Sequence, residues 1–270
     1  MSSLLIPFTL LTAATTQAGE YANAVLADGP LAYYPLNEAA AVLPPARNSG
    51  SLGEDGVGSH VGTARSVEGA IKGSSNGSAY FDGAGAHTLV PFHAALNPPA
   101  AESFTIEAWV KPTLDGLATA QAPLFNRRST NPRQGWIFFQ RAADTGFNFR
   151  MYNENGSSQS VNITGGTYTV GEWTHLAATW NGSTATLFVN GVAVGSQSDT
   201  YVANSGSPLA IGAYGADEAG DNPFTGAIDE VAFYGSALSE AQLKAHFDNA
   251  NDPARTTGYE DLIASHAPLL

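Results

Sequence analysis

In residues 104–110 every second position is apolar: Phe104, Ile106, Ala108 and Val110 share one side, and Thr105, Glu107 and Trp109 the other. This is the period of a β-strand with one face on a core. Full burial of Phe104, Ile106 and Val110 would contribute about 1.5–3 kcal/mol each, an upper value because unfolded chains are not fully extended. The opposite side leaves two readings open, since Trp109 could pack beneath a covering segment or face a ligand. Residues 173–180 form a second strand. Asn181-Gly182 then turns the chain into 184–189, and Asn190-Gly191 turns it again into 192–194. Such pairs supply the positive φ of a tight type I′ hairpin, so three antiparallel strands are expected in succession. Residues 136–140, 147–152, 209–213 and 228–234 add four more. Many alternating strands bury their apolar sides most simply as sheet on sheet. One segment changes period: Ser239 and Gln242 are spaced as a capping box, Leu238 and Leu243 as a hydrophobic staple, and Leu243 and Phe247 share a helical face. It predicts one short closing helix at the domain edge.

Composition agrees with one β-rich core and removes several functions. Of 270 residues, 43% are hydrophobic and 13% charged, with 29 Gly and 15 Pro to make turns. The net charge of −13 opposes phosphate backbones, so nucleic acid is not an expected partner. An acidic surface suits a calcium-containing extracellular setting, and equally an ordinary soluble acidic protein. There is no Cys, which excludes disulfides, thiol nucleophiles and Cys-based zinc sites. Residues 4–11 (LLIPFTLL) are an apolar run too short to span a bilayer, with Ala18 placed for a signal-peptidase cut. No basic residue precedes the run and Pro7 interrupts it, so residues 1–20 read as a signal peptide or as another leader. No other stretch suits membrane insertion. Tyr21, Val25, Pro30 and Leu31 recur in order and spacing as Tyr259, Ile263, Pro268 and Leu269. The expected layout is therefore a domain over 21–250 and a linker over 251–270 that leads into a neighbouring module of a longer chain.

The order of several short motifs carries a resemblance. Tyr33-Tyr34-Pro35-Leu36-Asn37-Glu38 is followed by Ala79-Tyr80-Phe81-Asp82-Gly83 and the strand at 104–112. Next come Gly171, Trp173 and His175, then Leu187 to Gly191, Leu209 to Gly212, Phe224 to Tyr234, and Ala237 to Glu240. The set spans roughly 30–250 and resembles the laminin G-like jelly rolls of bacterial secreted proteins, within the concanavalin A-like lectin and glucanase superfamily. One departure is the turn at Asn48, where an Asp-Ser-Ser-Gly type is usual. The resemblance implies an all-β, two-sheet antiparallel jelly-roll sandwich, found in cell-surface or polysaccharide-handling proteins and commonly holding one structural Ca2+. It points to Asp82 and Asp229 as metal ligands, both carboxylates set in apolar strand sequence where an unpaired charge is costly. Hydrogen bonds from a neighbouring turn are the alternative use of each.

Other chemistry finds little purchase. The loop Asp217 to Asn222 is rich in oxygen ligands but lacks helix-loop-helix calcium spacing and reads as a solvated turn. The six His occur singly, without a zinc-hydrolase motif, and His175 reads as a packed strand residue. Glucanases of this fold place carboxylates two apart on one strand, and no such run exists; Asp229 and Glu230 would point to opposite faces of a regular strand. No nucleophile elbow or phosphate loop is present. Trp109, Trp136, Phe138, Phe147, Phe149 and Tyr152 could line a sugar-binding face, but aromatics also fill sandwich interiors, so none is assigned to sugar. Asn76, Asn155, Asn162 and Asn181 fit glycosylation sequons, three of them at Asn-Gly turns. The expectation is a non-catalytic, secreted or cell-surface binding and adhesion module for carbohydrate or glycoprotein. A spacer without its own ligand and a divergent polysaccharide hydrolase are the alternatives.

Overall fold

The computed structural model describes residues 20–36, 45–62, 65–74, 77–128, 130–213 and 222–254. Residues 1–19 of the expected leader, Asn37, Glu38, Asn76, the acidic stretch 217–221 and the recurring C-terminal segment lie outside the described residues. In chain order the strands are β1 (Ala32–Tyr34), β2 (Ser59–Val61), β3 (Arg65–Glu68), β4 (Gly77–Asp82), β5 (His87–Val90), β6 (Phe104–Pro112), β7 (Leu124–Arg128), β8 (Gln134–Gln140), β9 (Phe147–Asn153), β10 (Gln159–Gly165), β11 (Thr174–Trp180), β12 (Thr184–Val189), β13 (Val192–Ser198), β14 (Leu209–Ile211) and β15 (Thr225–Tyr234). The helices are α1 (Glu20–Ala27) and α2 (Glu240–Asn251).

The strands make two antiparallel sheets pressed face to face, a jelly-roll sandwich. An eight-stranded sheet runs β13-β12-β11-β6-β15-β4-β3, with β1 also paired to β15, and a seven-stranded sheet runs β10-β9-β8-β7-β14-β5-β2. The alternation read in β6 sets the core. Phe104, Ile106, Ala108 and Val110 turn inward onto Trp136, Phe138, Phe147, Phe149 and Met151 from the facing sheet. The hairpin signal between β12 and β13 also holds: Asn190 and Gly191 have φ of 53° and 75°, as a type I′ turn requires. At the departure from the usual turn, Asn48 does the linking. Its Oδ1 accepts from Tyr33 N at 3.0 Å and Gly50 N at 2.8 Å, while its Nδ2 donates to Gly53 O at 3.2 Å.

Three features differ from the sequence reading. The closing helix does not sit at an edge: of the two readings left open for the second side of β6 the covered one holds, with α1 and α2 over Glu107 and Trp109 and the 236–238 segment over Thr105. The capping box of α2 is present, with Ser239 Oγ accepting from Gln242 N and Gln242 Oε1 accepting from Ser239 N. Leu243 and Phe247 pack onto the layer of Trp109, Phe188 and Tyr234. Helix α1 adds Tyr21 and Val25 to that layer and was not foreseen. Finally, β15 is not a regular strand through Asp229-Glu230: the pairing with β6 shifts between Asp229 and Ala232, and Glu230 sits at φ 52°. Both carboxylates are buried at this bulge, as are the residues on either side of the strand.

Candidate functional site

Antiparallel registers assign the outer face of the seven-stranded sheet residue by residue, since directly opposed residues share a face. One row crosses all seven strands: Asn162, Arg150, Ile137, Phe125, Ala210, Leu89 and Ser59. The next rows are Thr164, Asn148 and Phe139 on one side, and Tyr152, Gly135 and Arg127 on the other. Gly135, at φ +86°, carries no side chain between Tyr152 and Arg127, so the Arg127 guanidinium reaches 5.0 Å from the Tyr152 ring centre and 5.3 Å from that of Phe125. Across β7, β8 and β14 this face is closed, with Phe125, Ile137, Tyr152 and Ala210 joined by Ala122 and packed against by Leu89 and Ala120.

The half toward β9 and β10 opens at its polar positions, while Phe139 and Asn148 beneath them are buried. Asn162 and Thr164 are exposed and Arg150 is half-buried. The Arg150 guanidinium lies 4.8 Å over the ring of Phe139, and its Nε donates to Asn148 Oδ1. Asn148 Nδ2 in turn donates to Asn162 Oδ1 at 2.8 Å and Ile163 O at 2.7 Å. Arg150 is thus held over an apolar ring by buried Asn148, and Arg150, Asn162 and Thr164 keep donors and acceptors toward solvent. At the end of these strands a recess of about 250 Å³ is lined by Arg141, Asp144, Thr164, Gly165, Gly166 and Thr167, with Arg141 Nη2 3.2 Å from Asp144 Oδ2.

Of the aromatics considered for a ligand face, Trp136, Phe138, Phe147 and Phe149 belong to the central core and Trp109 to the layer under α2. Trp109 Nε1 donates to Tyr21 Oη at 3.1 Å, and its ring stacks on Phe247 at 5.8 Å. Tyr152 alone of that group faces outward on the seven-stranded sheet, beneath Arg127 and Arg133. Arg133, Arg141, Arg150, Asn148, Asn162 and Thr164 were not singled out as ligand residues. Their signal was the arginine clustering between 127 and 150 in phase with the strand alternation, and it becomes legible only once the inner side is known.

A second polar cluster lies beneath α2, with its centre buried. Glu107 accepts from Tyr234 Oη at 2.6 Å, His175 Nε2 at 2.9 Å and His246 Nδ1 at 3.1 Å, and all four residues are fully buried. His246 Nε2 stands 2.9 Å from Asp28 Oδ2 as an ion-pair contact. Burial would raise the Glu107 carboxyl, but the charge and hydrogen bonds of His246, with those of His175, hold it well below the usual carboxylate range. Burial would lower His246, yet Glu107 first and then Asp28 push it up to about 10. The arrangement is an imidazolium between two carboxylates that joins both helices to the sheet. Only Asp28, at its margin, reaches solvent, and the buried remainder is a structural joint.

The two expected metal ligands are not brought together. Asp82 pairs with Thr225 and Ala79 with Ile228, which puts Asp229 at the far end of the β4–β15 ladder from Asp82. Asp82 Oδ1 accepts from Ala84 N at 2.8 Å; Asp229 Oδ2 accepts from Ala70 N at 2.7 Å and its Oδ1 from Glu230 N at 3.0 Å. Each carboxylate serves a turn or bulge, and no group of three or more His, Asp or Glu able to hold a metal occurs among the described residues. These residues do not fit a calcium ion shared between Asp82 and Asp229.

Solved structures share this architecture. The binding domain of Paraclostridial Mosquitocidal Protein 1 matches with a TM-score of 0.62 and 18% identity, covering 82% of this chain and 52% of that one. Domain 4 of AbnA, a GH43 extracellular arabinanase from Geobacillus stearothermophilus, solved with arabinotriose, matches with a TM-score of 0.57 and 21% identity over 80% of this chain and 97% of its own. The binding domain of botulinum neurotoxin DC in complex with SialylT matches with a TM-score of 0.61 and 11% identity over 84% and 52%. The chain thus spans about half of the toxin domains and nearly all of the arabinanase domain. No curated protein sequence matches it. The laminin G-type family model matches residues 82–244, well over half of the chain and from the end of β4 into α2. With two antiparallel jelly-roll sheets in place around that span, the chain belongs to the concanavalin A-like lectin/glucanases superfamily.

Proposed function

We propose that this protein is a non-catalytic glycan-binding module that works outside the cell, and that its ligand surface is the open half of the seven-stranded sheet's outer face. The observation that carries the reading is the interlocked Arg150, Asn148 and Asn162 standing beside Phe139 and exposed Thr164. Sugars offer hydroxyls in fixed directions around an apolar ring face, and a few oriented polar groups on an apolar floor meet both needs. The arabinotriose complex of AbnA Domain 4 supports a glycan ligand better than the toxin complexes do, because nearly all of that domain is matched. Its parent arabinanase is extracellular, which supports the same setting here.

Binding without catalysis is favoured by the placement of the carboxylates. Glycoside hydrolysis usually needs two of them flanking the scissile bond. The three outer-face rows carry none, and Glu107, Asp229 and Glu230 are buried. A glycan array probed with the purified chain is expected to show retention on plant or bacterial polysaccharides, without release of reducing sugar. Asn162→Ala with Thr164→Ala should weaken retention while leaving the melting temperature unchanged. Silence across the array would overturn the reading in favour of a spacer, and reducing-sugar release would overturn it in favour of a hydrolase.

A further inference from the structure

One stretch of the seven-stranded sheet is basic where the molecule is acidic. Residues 127–150 contain five arginines and one carboxylate, Asp144, in a chain whose net charge is −13. Four of those arginines have outer-face parity. Arg127 and Arg150 do so by pairing, while Arg133 and Arg141 flank β8 in phase with Gly135, Ile137 and Phe139. Three stand over outer-face rings: Arg127 at 5.0 Å and Arg133 at 5.9 Å from the centre of Tyr152, and Arg150 at 4.8 Å from that of Phe139. Arg141 borders the recess with Thr164. Arg133, Arg141 and Arg150 are half-buried. A guanidinium held over a ring has less freedom left to lose and keeps N–H donors, the fork that fits a carboxylate.

Resting on the glycan reading above, we propose that the ligand is an acidic polysaccharide, a polyuronate whose sugar carboxylates are taken by Arg150 and Arg141. Its hydroxyls meet Asn162 and Thr164. The 24-residue basic segment is far from what an uncharged sugar requires, and in an acidic chain it is a local exception. Duplex nucleic acid fits less well, because its charge is denser and extends past the patch onto a surface that repels it. A polyuronate carries one carboxylate per sugar, a planar group that an arginine fork can hold bidentately.

The test is affinity electrophoresis of the full chain in gels holding polygalacturonate, the same polymer fully methyl-esterified, neutral arabinan, dextran sulfate or duplex DNA. Polygalacturonate should retard the protein, its methyl ester should not, and added salt should weaken the retardation. Arg150→Gln and Arg141→Gln should each weaken binding about tenfold, as loss of a charge-assisted pair does. Lys244→Gln makes the same charge change on α2 and should bind like the parent. Circular dichroism melts confirm that each variant is folded. Equal retardation by arabinan and by the methyl ester, unaffected by Arg150→Gln, would overturn the acidic ligand and leave the glycan reading standing. Retardation by DNA or dextran sulfate as strong as by polygalacturonate would overturn it as mere charge attraction. No retardation by any polysaccharide would remove both.

Discussion

His246 touches a carboxylate with each ring nitrogen, Glu107 through Nδ1 and Asp28 through Nε2. Only an imidazolium presents two N–H groups, so the folded protein holds the ring charged. Its folded pKa of about 10 lies above the ordinary 6.5, so its contribution to stability is complete below pH 6.5 and is lost as pH rises toward 10. Glu107 is held below the ordinary 4.5, so its contribution is complete above pH 4.5 and is lost as pH falls below that value. The pair's contribution is therefore expected to be greatest between about pH 4.5 and 6.5 and to decline on the alkaline side, where buried Glu230, raised by desolvation, adds to the decline. Urea unfolding across pH would check this. His246→Gln should flatten the alkaline decline and cost about 3–5 kcal/mol at pH 6, the usual penalty for breaking a buried ion pair from one side. An unchanged pH profile would mean that the ring is neutral in the fold. Neither histidine's partner was legible in sequence. Glu107 and His175 lie opposite Ala177 and Trp109 on adjacent strands, and His246 arrives from a helix 139 residues away.

Among the elements, the β7–β8 ladder depends on one glycine. Gly135 pairs with Arg127 at φ +86°, and a Cβ there would fall 2.1 Å from Asn126 O and 2.9 Å from Arg127 Cα. Both obstacles are backbone, so the strand itself would have to move. Gly135→Ala should lower stability by at least ~2 kcal/mol, from left-handed strain together with a displaced ladder. A thermal melt reads the loss, and a change below ~0.5 kcal/mol would refute the register, since that is the usual range of harmless surface substitutions. The element most legible beforehand was α2, because a capping box and a staple are local signals carried by adjacent residues. Helix α1 was not, as its eight residues are shorter than an independently stable helix, and only docking of Tyr21 and Val25 onto the sheet fixes them.

For the whole molecule, the helical cover ties distant parts of the chain to one face. The family match ends at residue 244, two positions before His246 and three before Phe247, and begins after β1 and β3. A fragment of residues 82–244 would leave Trp109, Tyr234 and Glu107 under an incomplete roof. It is expected to melt without cooperativity and to bind a hydrophobic dye, where the full chain melts sharply and does not. A sharp melt from the fragment would show that the helices are dispensable. The alternation of apolar side chains was enough, by itself, to establish the sandwich, the inward side of β6 and the Asn190-Gly191 hairpin, because each depends on neighbours within one strand or turn. Tertiary structure alone decided that the other side of β6 is roofed, that the Asp229-Glu230 bulge buries both carboxylates, and that Asp82 and Asp229 stand apart. It also decided that arginines on β7 and β9 and on either side of β8 converge on one face. Each of these is a matter of register and coverage between segments far apart in sequence, and no local pattern encodes which strand lies beside which.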